Sequence, residues 1–374
     1  MNIMMMTNTY KPILGGLEKS VEAFSKELRN LGHRVVIVAP KYPGQRKEED
    51  VIRIPAVQNF NGSDFSVQLP IPLALTEALR DFKPDLIHSH HPFLIGDAAL
   101  RAASSYNVPL VFTHHTLYEE NVHYVPGNQE ALKRFAIELS TGYANLADIV
   151  FAPSESVMNL MRERGVKTTI EIVPTGIYTD KFARGSGKSF RNKFNLPQDV
   201  FVVGYLGRLA PEKNLDFVTR SVAEFLKKKT DAHFLVCGTG PSLEGMQQIL
   251  TEAGVADRVH AVGAVKGKDL IDAYHAMNVF VFASQSETQG LVLTEAMSAG
   301  VPILAVDAPG VREVVKDGTN GRLLPAPDME QFTAALEWFA QLPSEEVKKI
   351  KVECRNTSES FAMPAMVKRV NDIY

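Results

Sequence analysis

Glu287 and Glu295 stand eight positions apart in Ser286-Glu287-Thr288-Gln289-Gly290-Leu291-Val292-Leu293-Thr294-Glu295-Ala296. An apolar run, Val279–Ala283, precedes them, and a helical pattern over Leu291–Ala299 contains the second. Glu287 therefore falls in a strand-to-helix loop, and Glu295 about one turn into the helix. Gly290 lets backbone approach a ligand at the helix start, where the amides of Gly290 and Leu291 point outward. Two carboxylates so placed accept hydrogen bonds from neighbouring hydroxyls, which is the chemistry of a sugar and a ribose. The plainer reading has Glu287 capping the helix and Glu295 solvated. Leu293, Ala296 and Met297 weaken it, because an unpaired carboxylate among them is costly.

Arg208 and Lys213 lie in Gly207-Arg208-Leu209-Ala210-Pro211-Glu212-Lys213-Asn214, after the apolar run Val200–Leu206. Arg can grip a diphosphate bidentately and Lys meets it as a point charge. The alternative is two solvated surface cations; their place beyond a strand end favours the cleft. Gly15-Gly16 opens a helix after the first strand, where free N–H groups attract phosphate. A plain tight turn explains that pair equally well. Gly238-Thr239-Gly240 begins like a dinucleotide fingerprint, but Leu243 holds its final glycine position. It remains a candidate close-approach loop for a nucleotide. Cys237 beside it reads as a buried strand residue rather than a nucleophile.

Of ten histidines, six lie between positions 88 and 123: His88, His90, His91, His114, His115 and His123. Three readings stay open: a metal site from His88, His90 and His115, polar or general-acid substrate contacts, and packed structural rings. No D-x-D occurs, which counts against a metal-bound nucleotide-sugar site. Gly187-Lys188-Ser189 ends like a P-loop, but Phe182 stands where its first glycine belongs, so it reads as linker.

These residues need strands to carry them, and strand–helix alternation runs through the chain. Strands are expected at Asn2–Thr7, Val35–Ala39, Asp85–His88, Leu110–Thr113, Ile149–Ala152 and Ile170–Val173. After a pause at Gly176–Asp199, more follow at Val200–Leu206, His233–Cys237, Val259–Val262, Val279–Ala283 and Ile303–Val306. Helical patterns lie between them; the first buries Leu17, Val21, Phe24, Leu28 and Leu31. Near-continuous apolar strands imply parallel sheets covered on both faces. The fold class is α/β, with two doubly wound Rossmann-like domains, and ligands belong beyond the strands' carboxyl ends. The expected division is 1–180 and 181–360.

Composition agrees. The 374 residues suit two domains, and 45% hydrophobic with 22% charged residues suits a folded protein. A formal net charge of -3 argues against a nucleic-acid partner. Two cysteines cannot build a disulfide framework and fit a reducing, cytoplasmic setting. No run approaches the ~20 apolar residues of a membrane span.

Taken in order, Gly15-Gly16, Gly207-Arg208…Lys213, Gly238-Thr239-Gly240-Pro241 and Glu287…Glu295 followed by Ala299-Gly300-Val301-Pro302 resemble the retaining glycosyltransferases of family 4, with the GT-B fold. The E-x7-E element is the specific part. Ile87-His88-Ser89-His90-His91-Pro92-Phe93, Gly96, Phe112–Glu119 and His123-Tyr124-Val125-Pro126 look like the bacterial diacylglycerol glucosyltransferase branch. Glu120-Asn121-Val122 departs from it, where that branch more often has a tyrosine.

The resemblance implies two domains facing across a deep cleft, with closure assembling the site and the helical segment 361–374 crossing back to the first domain. It implies donor-phosphate contacts at Gly15 and Gly16, and diphosphate stabilisation by Arg208 and Lys213. Glu287, Gly290 and Leu291 would hold sugar hydroxyls, and Glu295 the ribose. Gly238 and Thr239 would line the nucleotide pocket, and the backbone near Val265 would meet the base. His115 would be the active-site histidine, with His88, His90, His114, Tyr118 and His123 toward the acceptor. It further implies a nucleotide-sugar donor, UDP-glucose first, no cofactor and no metal. The acceptor would be a lipid such as diacylglycerol at the inner face of the cell membrane.

A soluble or polyprenyl-linked glycan acceptor, a nucleotide-sugar epimerase and a degenerate sugar-nucleotide sensor are the alternatives. The membrane signal is thin. Lys41–Arg53 sets Lys41, Arg46, Lys47 and Arg53 against Glu48, Glu49 and Asp50, and Phe60, Phe65, Val67, Leu69 and Ile71 follow as apolar candidates. Only weak peripheral contact is expected.

Overall fold

A computed structural model describes the chain apart from Leu14, 46–47, 58–66, 69–71 and Pro126, and apart from the side chains of 67–68, 72–74, 78, 121 and 123–124. Two compact units form: Met1–Gly176 with Pro364–Tyr374, and Ile177–Met363.

The first unit contains β1 (Asn2–Met6), β2 (Arg34–Pro40), β3 (Val51–Ile54), β4 (Ala56–Val57), β5 (Val67–Gln68), β6 (Leu86–Ser89), β7 (Leu110–Thr113), β8 (Ile149–Ala152) and β9 (Ile170–Ile172). Seven of these make one sheet in the order β3-β2-β1-β6-β7-β8-β9, every pair parallel. β4 and β5 form a separate antiparallel pair. The second unit contains β10 (Phe201–Leu206), β11 (Ala232–Cys237), β12 (Val259–Gly263), β13 (Val279–Phe282), β14 (Ile303–Val306) and β15 (Gly321–Leu324). They run parallel in the order β12-β11-β10-β13-β14-β15. Both are Rossmann-like sheets.

Strand order reverses between β1 and β6 in one sheet and between β10 and β13 in the other. Loops beyond the carboxyl ends of those strands diverge there and leave room for a ligand. Gly15-Gly16 follows β1, His90 follows β6, Arg208 follows β10 and Glu287 follows β13. The candidate residues thus sit where this topology makes space.

Central strands such as β1 bury an unbroken apolar run, Ile3–Met6, under helices on both faces. The helix Gly16–Asn30 presents Val21, Phe24 and Leu28 to the sheet. Leu31, expected on the same stripe, is 52% exposed, because the helix ends one residue earlier.

The segment read as linker is built structure. Ser186 accepts from the Ser189 N–H and caps the helix Gly187–Lys193, and Phe190 enters the second unit's core. Gly187 is needed there, since a Cβ would lie 2.1 Å from the His275 carbonyl oxygen. Polar side chains on that short helix hid its one apolar anchor. Lys41–Arg53, the nearest candidate for an amphipathic surface anchor, does not have that form. Among its described residues there is no helix; Val51–Ile54 is an edge strand, and Arg53 pairs with Glu48. Phe60, Phe65, Leu69 and Ile71 lie outside the described residues, as does the Val67 side chain.

Candidate active site

In the second unit, the loops after β10 and β11 are laced together. Gly207 N–H donates to Cys237 O at 3.0 Å, Leu209 N–H to Thr239 O at 2.9 Å, and Ser242 N–H to Leu209 O at 2.9 Å. A Cβ at Gly238 would stand 1.9 Å from the Gly207 carbonyl oxygen. The neighbouring backbone therefore demands glycine at 238 whatever ligand Thr239 meets. Burial pushes the Cys237 thiol up to about 12, which fits a packed strand residue and not a nucleophile.

That lacing aims two cations. Lys213 leaves the short turn Pro211–Lys213 and donates to the Glu287 carboxylate. Arg208 donates to Glu212, a partner the sequence reading did not single out. The Lys213–Glu287 pair is the more enclosed, with side chains 21% and 19% exposed, whereas Arg208 is 57% exposed. Each cation is thus already balanced by a carboxylate. An anion arriving here would have to draw Lys213 from Glu287 or share it, and low solvent access would strengthen either interaction.

The loop carrying Glu287 rests on a glycine that the motif does not include. A Cβ on Gly310 would lie 2.5 Å from the Gln289 nitrogen and 2.5 Å from the Thr288 carbonyl carbon. Gly310 also has φ +76°, disfavoured for a residue with a side chain. Gly290 ends this loop at φ +70°, turning the chain into the helix Leu291–Ser298. Gly310→Val should cost about 3 kcal/mol of stability through steric overlap and backbone strain. It should also depress turnover without removing any polar group. Urea denaturation and steady-state kinetics check this; unchanged values for both would mean the loop does not depend on Gly310.

Glu295 is 4% exposed and accepts from the Tyr274 hydroxyl at 2.8 Å. Tyr274 is fully buried, and burial with the adjacent carboxylate holds its hydroxyl protonated. Tyr274 is a second partner that sequence spacing could not reveal. Val265 follows β12 and is half-buried.

In the first unit, Gly15 precedes the helix Gly16–Asn30 in extended conformation, and its carbonyl accepts from Lys19 N–H at 3.1 Å. Glu18 in the first turn is buried, and a Cβ at Gly15 would meet its Oε2 at 2.5 Å. The carboxylate thus folds back over the helix start, where the dipole favours it.

The described histidine side chains fall into distinct environments. His88 is clamped between the Tyr374 hydroxyl at Nδ1 and the Thr113 hydroxyl at Nε2, the latter at 2.6 Å. His90 stacks on His88 with ring centroids 4.1 Å apart. His90 Nδ1 lies 2.9 Å from His115 Nε2, the two rings meeting edge to edge with their planes 28° apart. His91 accepts the Asn8 N–H at Nδ1, tying the loop after β6 to that after β1. His114 instead packs edge-on against Phe112 and Tyr118. Both His114 nitrogens and the Tyr118 hydroxyl are buried without a hydrogen-bond partner. The backbone of His123 lies in the turn Tyr118–Tyr124, while its side chain is outside the described residues.

Burial pushes His88 and His91 down to about 3, and burial with Arg164 nearby pushes His114 down to about 4. His90 Nδ1 and His115 Nε2 point at each other, and both His88 nitrogens face hydroxyl partners, so these atoms do not converge on a common centre. Among the described residues, no three His, Cys, Asp or Glu side chains are grouped to hold a metal ion. Nor, among them, is any helix long and apolar enough to cross a membrane.

A cavity of about 550 Å³ in the second unit lies apart from these residues, beside Lys188, Arg191 and Asp199. Arg191 there spends its guanidinium on the carbonyls of Ala276, Pro197, Gln198 and Val200 and on Asn278. It braces the fold.

The family model for Glycosyltransferase Family 4 matches residues 14–181, and that for Glycosyl transferases group 1 matches 187–356. An alpha-monoglucosyldiacylglycerol synthase of Streptococcus pneumoniae is 29% identical over 86% of this chain and 75% of its own length. A protein of the same name from Acholeplasma laidlawii is 27% identical over 86% and 84%. A GDP-mannose-dependent alpha-mannosyltransferase of Corynebacterium glutamicum is 26% identical over 91% and 80%. The Anabaena HepE structure with UDP and glucose superposes with a TM-score of 0.80 at 17% identity, covering 100% of this chain and 99% of that one. Sequence and fold agree: the chain belongs to the family 4 glycosyltransferases and has the GT-B fold.

Proposed function

We propose that this glycosyltransferase moves a hexose, with retention of configuration, from UDP-glucose to a hydroxyl of a membrane lipid such as diacylglycerol. The Lys213–Glu287 contact at the strand-order reversal carries the reading, with Lys213 as the leaving-group cation and Glu287 as the sugar-binding carboxylate. The lipid acceptor draws support from the two relatives named as alpha-monoglucosyldiacylglycerol synthases. The UDP donor draws support from the HepE complex.

In this reading, the anomeric carbon–oxygen bond to the diphosphate breaks while the acceptor oxygen attacks the same face. The acceptor's proton passes to the departing phosphate oxygen. Positive charge builds on the sugar and negative charge on the leaving group. Arg208, Lys213 and helix N-termini meet the latter, and fixed charges of this kind are the largest stabilisation available in a dry site. Gly15, Gly16, Gly238, Thr239, Val265, Gly290, Leu291 and Glu295 take the donor. His115 lies near the reacting sugar, and His114, Tyr118 and His123 lie toward the acceptor. No metal ion or cofactor is called for, and the protein works at the cytoplasmic face of the membrane.

The mannosyltransferase relative favours GDP-mannose as the second donor. A panel of UDP-glucose, UDP-galactose and GDP-mannose, with and without diacylglycerol vesicles, separates the readings by product mass. Hexosyl-diacylglycerol with UDP release is expected. Turnover of GDP-mannose alone overturns the donor, and turnover of soluble acceptors alone overturns the lipid. An isomerised sugar formed without acceptor would instead indicate an epimerase.

A further inference from the structure

Three rings in the first unit run in a row: His88 stacks on His90 with centroids 4.1 Å apart and planes tilted by 30°, and His90 meets His115 edge to edge, with centroids 5.1 Å apart and planes tilted by 28°. His88 is locked at both nitrogens by Tyr374 and Thr113, and Tyr374 itself stacks on Phe151. The base of the stack therefore cannot turn without breaking two hydrogen bonds. His90 lies on this base, only 1% exposed, while His115 is half-buried. A small enclosed cavity touches the stack, lined by Ser20, Phe24, His88, His90, His115 and Thr175.

Between His90 Nδ1 and His115 Nε2, 2.9 Å apart, there is room for one proton. Burial holds both rings neutral. Either His115 donates from Nε2, or His90 donates from Nδ1. The other nitrogen of His90, Nε2, is buried without a hydrogen-bond partner, and that decides between them. If His115 donated, neutral His90 would carry its proton on Nε2, as an orphaned buried N–H. If His90 donates, only a bare aromatic lone pair is left there. Orphaned N–H groups are the rarer and costlier defect in folded proteins.

We propose that His90 is a positioning residue: it donates from Nδ1 to His115 Nε2 and so holds His115 as the neutral tautomer protonated at Nδ1. The consequence is chemical. At Nδ1, His115 offers a hydrogen to an oxygen of the donor sugar or the acceptor and cannot take a proton there. It steadies a developing charge and is not the base. The kinetic part of this inference rests on the transferase reading above; the tautomer does not.

The test uses the full chain with ¹⁵N-labelled histidine and long-range ¹H–¹⁵N correlation at neutral pH, His115 being assigned by its loss in His115→Asn. A pyrrole-type Nδ1 and a pyridine-type Nε2 on His115 are expected. His90→Phe keeps a flat ring in the stack but removes the donor. It should release the tautomer and lower kcat about tenfold, the size of one lost hydrogen bond, with the donor's KM changed by less than about twofold. His90→Gln has an amide donor and should restore both tautomer and rate. A wild-type His115 protonated at Nε2, or an unchanged tautomer in His90→Phe, would overturn the proposal. Absence of any transfer by the wild type would remove the functional reading and leave the spectral result standing.

Discussion

Lys213→Ala lowers kcat about 100-fold or more, the cost of losing one fixed charge aimed at a leaving group. The effect falls on turnover more than on donor KM, because charge on the leaving oxygen grows as the bond breaks. Lys213 is the cation to test first. It is the more enclosed of the two and already contacts Glu287, whereas Arg208 is 57% exposed. Lys213→Arg keeps the charge but moves it on a longer planar head, so it should recover only part of the rate. A thermal or urea melt must accompany the kinetics, since Glu287 is left half-buried without its partner. Turnover within a few-fold of wild type in a folded Lys213→Ala protein would remove Lys213 from the mechanism.

The first unit should lose stability steeply in mild acid. His88, His91 and His114 are almost wholly buried and titrate near 3, 3 and 4 in the fold, against an ordinary value of 6.5. Between those limits the unfolded chain holds protons that the native state refuses. Unfolding therefore becomes easier as pH falls below about 6.5, and the loss levels off only near pH 3 to 4. Each such ring contributes a slope of about 1.4 kcal/mol per pH unit, or roughly 4 for the three together. Urea midpoints at pH 7.5, 6.5 and 5.5 measure it. His114→Phe removes one titrating ring at a site that already gives its nitrogens no partner. It should flatten the slope by about 1.4 kcal/mol per pH unit. Equal midpoints at pH 7.5 and 5.5 would show that these rings accept protons inside the fold.

The parallel sheets were legible because a strand buried on both faces must be apolar throughout, as Ile3–Met6 and Val279–Phe282 are. β3 and β15 escaped because they are edge strands, only partly covered, and their runs Val-Ile-Arg-Ile and Gly-Arg-Leu-Leu tolerate an arginine. Arg208, Lys213, Glu287 and Glu295 could be singled out because charge just beyond an apolar strand is conspicuous. Their pairings could not. Tyr274 reaches Glu295 across 21 positions and Lys213 reaches Glu287 across 74, and no local pattern encodes such a meeting. Gly310 was invisible for a similar reason, since its need for glycine comes from the backbone of Thr288 and Gln289. Gly238 is the reverse case. Its motif suggested a nucleotide, yet the Gly207 carbonyl alone requires it.

Pro364–Tyr374 belongs to the first unit although all of the second unit precedes it in the chain. Tyr374 is one of the two groups that lock His88. Synthesis runs from the N-terminus and domains fold as they emerge. On the ribosome, residues 1–176 must then wait, with the His88 clamp half-made, until the entire second unit has been translated. The half that begins first is completed last.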